Sequence, residues 1–445
     1  MNLRIHSKET KKEIKSSLKY IFPIESFEDL TKEEISQISV SKKKKYLFFE
    51  EDLSFIILLL YSHLDKNTPE IGFKIKLVQN PSSVDIDFGN TFFRVFNADI
   101  SILPEEHKYS ELWISFRESQ FRRAIAKFSA FSTVPMLKWI QTVESSTSLT
   151  YEGQPFSYCL FMTKQKKWIQ KPLEKEFLEF SNPIPFEKAL LSEKWIRAID
   201  GKKISLIGLG HKGGIIGMFC IPEIDKNEGT VSLSPHEDIE SIIRTLIPGT
   251  CVFLTTKQGD IYFMLPNNVT FLKTQGKWYY LNYSNILKSI SELLDKKIAS
   301  SILRLVLNLS FDRHGAIISI PDEEEDIEKM VPDFSKINKA NKDLRYSIKG
   351  LKINNHIQRS LIGSAAKIDG ALIISKKGEI VDAACMISEP KEEQLKKVKI
   401  TKLERFPGAR TTAAWNASIY GTAIKVSEDG PITIYRHGKL ISKIG

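Results

Sequence analysis

The stretch FPGARTTAAWNASIYGTAIKV, residues 406–426, contains the signals of a turn, a helix and a strand in that order. A Pro-Gly pair marks the turn, Thr411 has the side chain of a helix N-cap, residues 412–420 are mostly small, and Gly421 is a typical helix stop. The run TAIKV then has the composition of a strand. Arg410 lies at the helix start, where backbone N–H groups add partial positive charge, so the stretch predicts an anion site.

A second stretch, IDGALII at residues 368–374, places one carboxylate directly before a strand. Asp369 precedes Gly370 and Ala371, and a Lys-Lys-Gly-Glu turn leads to another strand, IVDAACMI. A carboxylate beside two residues with minimal side chains can bind a divalent cation or orient a hydroxyl while a nucleotide packs against the backbone. An Asp-Gly pair that only forms a turn is the structural alternative.

The whole chain has 445 residues, enough for two or three domains that each bury a core. Composition shifts predict an amino-terminal α+β domain at 1–145, a hairpin-rich α+β domain at 146–284 and a third domain at 285–445. The predicted class is therefore α+β or α/β, with a mixed carboxy-terminal sheet surrounded by helices. A polar stretch, ESSTS, supports the first boundary.

The amino-terminal part predicts mostly helix over the first 65 or so residues, including an amphipathic segment at 13–20 and a capped start within 29–34. The segments GFKIKLV and NTFFRVF predict strands, and residues 111–127 predict a helix. The charged run at 42–45 predicts a solvated surface.

The middle of the chain predicts six strands: KISLIGL, GGIIGMFCI, TCVFLTT, DIYFMLP, VTFLKT and KWYYLN. The last four are expected to form consecutive hairpins. Gly208–Gly213 matches G-x-G-x-x-G, but a strand follows where a dinucleotide site needs a helix, so we expect a turn. Residues 283–310 show a long helical pattern that opens the third domain.

Several classes of protein are disfavoured by composition. The eight histidines and four cysteines show no zinc-ligand spacing, and we expect reduced, buried thiols. No apolar run is long enough to span a membrane, and the charged amino terminus lacks a secretory signal, so the sequence predicts a cytoplasmic protein.

The net charge is +10, and residues 296–445 hold +8 of it, with 26 basic and 18 acidic side chains. This excess suits a polyphosphate ligand in a pocket and equally suits DNA. DNA is the less favoured partner, because no nucleic-acid-binding motif accompanies the charge.

The order GAIISI, DGALIIS, GARTTAA and SEDGPITIYRHGKL resembles the diadenylate cyclase domain of the DNA-integrity-scanning cyclase and the membrane-associated cyclic di-AMP synthases. The resemblance covers about residues 285–445. It implies a cyclic-dinucleotide synthase that condenses two ATP with Mg²⁺ or Mn²⁺ into cyclic di-AMP and pyrophosphate. It further implies a homo-oligomer with face-to-face cyclase domains, regulated by an amino-terminal sensor-like module.

By the same resemblance, Asp369 and Arg410 would be catalytic, and Asp369 and Glu428 would bind the metal. The residues that would bind the nucleotide are Gly370, Ala371, Gly408, Ala409, Thr411, Thr412, Ser427 and Glu428.

The sequence departs from the family at its second motif, Gly-Thr-Arg-His-Arg. Ala409 replaces the Thr, Thr411 the His and Thr412 the second Arg, so one cation and one imidazole are absent. Lys425, Arg405 or the amino-terminal domains are candidate sources of replacement charge. The alternative function is a catalytically weakened nucleotide or cyclic-dinucleotide sensor.

Overall fold

The computed structural model forms two compact units, each non-contiguous in sequence. The first comprises Met1–Pro222 and Ser241–Leu281, and the second comprises Glu223–Glu240 and Asn282–Gly445. The three-domain division stays a prediction, because compactness does not establish which segments fold independently. The structure describes residues 8–39, 46–49, 55–61, 69–102, 111–129, 131–155, 157–168, 177–210, 213–223, 233–331 and 342–444.

The first unit begins with a four-stranded sheet of order β1-β4-β3-β2 and five helices. The strands are β1 (Ile24–Asp29), β2 (Leu47–Phe49), β3 (Phe55–Tyr61) and β4 (Pro69–Leu77). The helices are α1 (Lys8–Leu18), α2 (Lys32–Ser39), α3 (Ser83–Ile102), α4 (Glu111–Phe128) and α5 (Thr133–Ser146).

Two predictions for this region are wrong. The first 65 residues are not mostly helix, because β1 and β3 both pair with β4. The segment NTFFRVF lies in α3, where a capping box between Ser82 and Asp85 starts the helix and its phenylalanines are buried at helical spacing. The capped start predicted within 29–34 is confirmed, since Thr31 and Glu34 exchange backbone-to-side-chain hydrogen bonds of 2.7 and 3.3 Å. The run at 42–45 lies outside the described residues.

An eight-stranded sheet of order β14-β13-β12-β11-β7-β9-β10-β8 completes the first unit. Its strands are β7 (Cys159–Thr163), β8 (Phe177–Pro185), β9 (Ile204–Leu209), β10 (Gly214–Cys220), β11 (Thr250–Thr255), β12 (Ile261–Leu265), β13 (Val269–Thr274) and β14 (Lys277–Leu281). Smaller elements are the ribbon of β5 (Thr150–Tyr151) and β6 (Gln154–Pro155), and the helices α6 (Phe186–Leu191) and α7 (Glu240–Arg244), the last of which begins in the second unit with Glu240. Short 3₁₀ turns span Lys166–Trp168 and Lys194–Ala198 in this unit and Glu237–Ile239 in the second unit.

The six strands predicted for the middle of the chain are confirmed. The last four form consecutive antiparallel pairs, and Gln275 and Gly276 join β13 to β14 with φ values of 48° and 77°. Positive φ at both turn residues matches the right-handed strand twist. The turn after Gly208 joins antiparallel β9 and β10, as expected, although 211–212 lie outside the described residues.

The second unit contains a six-stranded mixed sheet of order β17-β16-β15-β18-β19-β20 with helices around it, as predicted. The strands are β15 (Ala316–Pro321), β16 (Ala371–Ile374), β17 (Ile380–Cys385), β18 (Gly421–Val426), β19 (Ile432–Arg436) and β20 (Lys439–Ile444). The helices are α8 (Tyr283–Ser291), α9 (Lys296–Phe311), α10 (Glu325–Met330), α11 (Lys342–Ile348), α12 (His356–Ala366), α13 (Glu392–Lys397) and α14 (Ala409–Ser418).

The long helical pattern at 283–310 is two helices rather than one. Asn282 caps α8 through a hydrogen bond from the Asn285 N–H at 3.1 Å, and Asp295 caps α9 through one from the Lys297 N–H at 2.8 Å. The apolar pattern continues beyond the end of α8, but the N-cap at Asp295 starts a new helix inside that pattern.

The segment at 233–240 joins the second unit through two ion pairs of low exposure. Glu240 accepts a hydrogen bond from Arg304 of α9 at 2.9 Å, and Glu237 accepts one from Arg359 of α12 at 3.2 Å. The side chains of Arg304 and Arg359 are 9% and 4% exposed. These pairs attach a segment from the middle of the chain to two helices of the carboxy-terminal unit.

Candidate functional site

Strand register brings three separated sequence segments to one end of the mixed sheet. β15 runs parallel to β16 with Ile317 opposite Ala371, and antiparallel to β18 with Ala316 opposite Val426. Residues just before β15 and β16, and just after β18, therefore meet at the same edge. They are Gly315, Asp369, Ser427 and Glu428.

Gly370 allows β16 to start close to β17. Its φ is 112°, and a Cβ at this position would overlap the backbone of Ala384. Ala371 is fully buried and begins the strand. Asp369 stays outside, with 97% of its side chain exposed, so the tight pair behind it presents the carboxylate to solvent.

Helix α14 begins earlier than the sequence predicted. Its N-cap is Gly408, with φ 125° and ψ 122°, and its first residue is Ala409. Thr411 was therefore wrongly predicted as the N-cap: its N–H already donates to the Gly408 carbonyl at 3.1 Å, inside the first turn. The earlier start places Arg410 within that turn, where N–H groups favour anions.

Arg410 is the centre of the site. Its Nη1 donates a hydrogen bond to Oε1 of Glu428, and its Nη2 lies 3.8 Å from Oδ1 of Asp369. Gly315 packs against the guanidinium so closely that a Cβ there would overlap Nη1. One arginine thus joins both carboxylates predicted to bind the metal.

The charges influence one another. The hydrogen bond from Arg410 and its positive charge hold the pKa of Glu428 below its ordinary value, with a smaller contribution from His314. Burial lowers the pKa of Lys425, and the nearby charges of Lys443 and Arg410 lower it further against the opposing effect of Asp429. Lys443 and Arg410 therefore lie close enough to repel Lys425, and a bound polyphosphate would relieve that repulsion.

The remaining predicted residues lie around this centre. The Thr412 hydroxyl exchanges hydrogen bonds with the Phe406 backbone, accepting from its N–H at 3.2 Å and donating to its carbonyl at 3.3 Å. The Ser427 N–H donates to the Pro431 carbonyl at 2.9 Å, which closes the predicted turn. Thr411 lies on the first turn of α14, next to Arg410.

Gly315 is the site residue that the sequence analysis missed. The sequence does mark this position, because Gly315 immediately precedes the strand AIISIP and is the first residue of the GAIISI motif. Of the candidate replacement cations, Lys425 influences Arg410 electrostatically, whereas Arg405 is 3.1 Å from Glu389 and largely exposed.

The donor set at this centre is compatible with a hard divalent cation. Asp369 and Glu428 supply carboxylate oxygens, and Mg²⁺ commonly binds through one or two carboxylates with phosphate and water as its other ligands. Within the described residues, no group of three or more His, Cys, Asp or Glu side chains forms a complete protein-built metal site.

The cysteines take no part in this centre. Cys159, Cys251 and Cys385 are buried free thiols, as expected, whereas Cys220 is exposed, contrary to expectation, because it ends β10. Burial raises the pKa of the Cys385 thiol to about 12, with Asp382 adding to the effect, so it stays protonated at neutral pH.

The carboxy-terminal third of the chain is similar to one known protein family. Residues 305–440 match the family model DAC, described as DisA bacterial checkpoint controller nucleotide-binding. No match was found among curated proteins.

Two solved structures are similar over about a third of the chain. A hypothetical membrane-spanning protein from Bacillus cereus is 22% identical, covering 36% of this chain and 67% of its own, with a TM-score of 0.25. A double cysteine mutant of DacA from Staphylococcus aureus is 24% identical, covering 33% of this chain and 85% of its own, with a TM-score of 0.21.

Among the helices that the structure describes, none has the length and apolar character needed to cross a bilayer.

Proposed function

We propose that the chain is a cyclic-dinucleotide synthase that condenses two ATP into cyclic di-AMP and two pyrophosphates. The supporting observation is the meeting of Asp369, Glu428 and Arg410 at one end of the mixed sheet, within the segment that matches the nucleotide-binding family. Neither carboxylate is buried, so both are accessible to a ligand.

In the proposed reaction, each 3′-hydroxyl attacks the α-phosphate of the other ATP, forms a phosphodiester and releases pyrophosphate. Asp369 orients the hydroxyl and takes up its proton, while Arg410 balances the charge that develops on the phosphate oxygens. The N–H groups of Gly408 and Ala409 and the hydroxyl of Thr411 offer donors to the phosphates at the start of α14. Gly370 and Ala371 leave space for the nucleotide, and Ser427 lies at its phosphate end.

Asp369 and Glu428 are the residues that would hold Mg²⁺ or Mn²⁺, which supplies charge neutralisation at the phosphates when bound. We propose that, when nucleotide binds, Arg410 exchanges its hydrogen bond with Glu428 for one with phosphate. That exchange would leave Glu428 available to the cation.

The reaction needs two nucleotides facing each other, so we propose a homo-oligomer with opposed carboxy-terminal units. We further propose that the first unit regulates the activity. We propose that the protein is located in the cytoplasm, where ATP is available and cysteine thiols stay reduced.

Product analysis tests the proposal. The full chain is incubated with ATP and Mn²⁺, and the products are identified by mass spectrometry. We expect cyclic di-AMP from the wild type and none from Asp369→Asn. Asp343→Asn on α11 is the matched control and is expected to retain activity, because Asp343 is exposed.

The absence of any cyclic dinucleotide from a folded, oligomeric preparation would overturn the synthase proposal. The alternative is a nucleotide sensor, which is favoured by the Thr412 hydroxyl being hydrogen-bonded to Phe406 where relatives place an arginine. Nucleotide binding without turnover, unchanged when metal is removed, would support that alternative.

A further inference from the structure

A cavity of about 570 Å³ lies within the first unit and is unrelated to the carboxy-terminal site. Helices α1, α3, α4 and α5 and the β13–β14 hairpin contribute to its walls. Cavities of roughly 300–1,000 Å³ are typical of sites for small organic ligands.

Four aromatic side chains in the cavity lining are together called the aromatic wall. They are Tyr20, Phe92, Phe121 and Trp278, and the last three are less than a tenth exposed. The rings of Phe92 and Phe121 pack 5.7 Å apart. Aromatic walls of this kind bind a flat apolar body by area and ring packing.

The charges in the cavity converge on Glu144. This carboxylate accepts hydrogen bonds from Trp278 Nε1 and from Arg122 Nη1, each at 2.9 Å, and its Oε1 lies 3.0 Å from Lys273 Nζ. The Glu144 side chain is only 11% exposed, so these contacts are protected from solvent. Both its oxygens are occupied, and they hold the two cations in position.

The cations outnumber the carboxylates in the lining. Arg122 and Lys273 share Glu144, while Arg117 pairs with Glu13 at 2.7 Å. In the full lining, four cationic side chains face three carboxylates, with Lys277 and Glu118 as the other two. An arginine carries five N–H donors and a lysine three, so Arg122 and Lys273 can bind a further anion while they keep Glu144.

We propose that this cavity binds a small organic anion with one negative charge and a flat apolar body. The anionic group lies beside Arg122 and Lys273, and the body lies against the aromatic wall near Trp278. The lining carries one more cation than carboxylate, so a ligand with one negative charge neutralises it. A dianion would leave the partly desolvated cavity with a net negative charge.

This inference deepens the regulatory part of the proposed function by naming a ligand class for the first unit. Its test measures binding in the absence of nucleotide. Loss of synthase activity and loss of this binding are therefore separate results.

A pair of fluorescent probes tests the inference on the unaltered full chain. Anilinonaphthalene sulfonate is an aromatic monoanion with a flat naphthalene ring system, and N-phenylnaphthylamine has the same aromatic framework without the sulfonate. We expect saturable binding of the sulfonate at one site per chain, at least about tenfold tighter than the neutral amine, which corresponds to one charge-assisted hydrogen bond.

Variants then locate the site. Arg122→Gln and Lys273→Gln are each expected to weaken sulfonate binding by about tenfold. Lys166→Gln, which removes an exposed lysine outside the cavity, should leave binding unchanged. Equal affinity for the two probes, or unaltered affinity in both cavity variants, would overturn the proposal. The probe comparison stands even if a variant folds poorly.

Discussion

Gly315 and Arg410 are packed so tightly that the glycine has no room for a methyl group beside the guanidinium. Gly315 precedes β15 and Arg410 lies in the first turn of α14, so the contact joins the sheet to the helix that carries the proposed phosphate contact. The position of Arg410 therefore depends on a residue that carries no functional group.

Gly315→Ala is expected to lower cyclic di-AMP formation by about tenfold or more, because its Cβ displaces Arg410 from between the carboxylates. The stability cost should stay below about 1 kcal/mol, since the overlapping atoms end a flexible side chain and the φ of Gly315 lies outside the left-handed region. Product assays and urea unfolding measure the two effects. Unchanged turnover would contradict a role for this contact.

Gly370→Ala should differ from Gly315→Ala in that its main effect is on stability. Its φ of 112° is strained for alanine, and its Cβ would overlap the Ala384 backbone, which cannot rotate away. We expect destabilisation by about 3 kcal/mol or more. A urea midpoint equal to that of the wild type would show that β16 and β17 separate to admit the methyl group.

Arg410→Lys keeps the positive charge but removes the planar group that reaches both Glu428 and Asp369. We expect turnover to fall by about 10²-fold, as for loss of one positioned donor to a developing anion. Arg405→Lys is the matched control, because that side chain is 76% exposed. Similar turnover in both variants would argue against a special role for Arg410.

The pH dependence of the Arg410–Glu428 pair has a defined sign. Arg410 lowers the pKa of Glu428 in the folded chain, so the pair is fully formed above the unfolded-chain value and is lost as the pH falls through the lower folded value. NMR titration should place the Glu428 midpoint below that of an ordinary glutamate. Arg410→Gln should raise it, and an unchanged midpoint would show that the pair does not persist in solution.

Among mutations in the segment at 233–240, those that break the ion pair between Glu240 and Arg304 should lower the free energy of unfolding most. Glu240→Gln removes the charge that faces a buried guanidinium, so we expect destabilisation of about 3–5 kcal/mol. Glu389→Gln breaks an exposed pair with Arg405 and should cost at most about 1 kcal/mol. Chemical denaturation of both variants makes the comparison, and equal midpoints would contradict it.

Local patterns predicted much of the second unit from sequence. The strands at the site were visible because each is a short apolar run beside turn residues, and their order carried the family resemblance. The start of α14 was misjudged because Thr411 is a good N-cap by residue type, whereas the observed cap uses the backbone conformation of Gly408. Residue type alone does not report that conformation.

Long-range packing escaped prediction. NTFFRVF fits a strand by composition, but its phenylalanines are buried at helical spacing in α3. The contact between Gly315 and Arg410 spans almost a hundred residues and depends on a register that no local pattern specifies. The pairing of Glu237 and Glu240 with distant arginines is equally invisible in a single sequence.

The path of the chain through Glu223–Glu240 has a consequence for how such a protein can change in evolution. A segment encoded between two parts of the first unit supplies Glu237 and Glu240 to the second. A recombination event that transferred only Asn282–Gly445 to another gene would separate Arg304 and Arg359 from their counter-ions. In this chain, transfer of the carboxy-terminal unit without residues 223–240 would therefore leave two guanidinium groups of low exposure without these carboxylates.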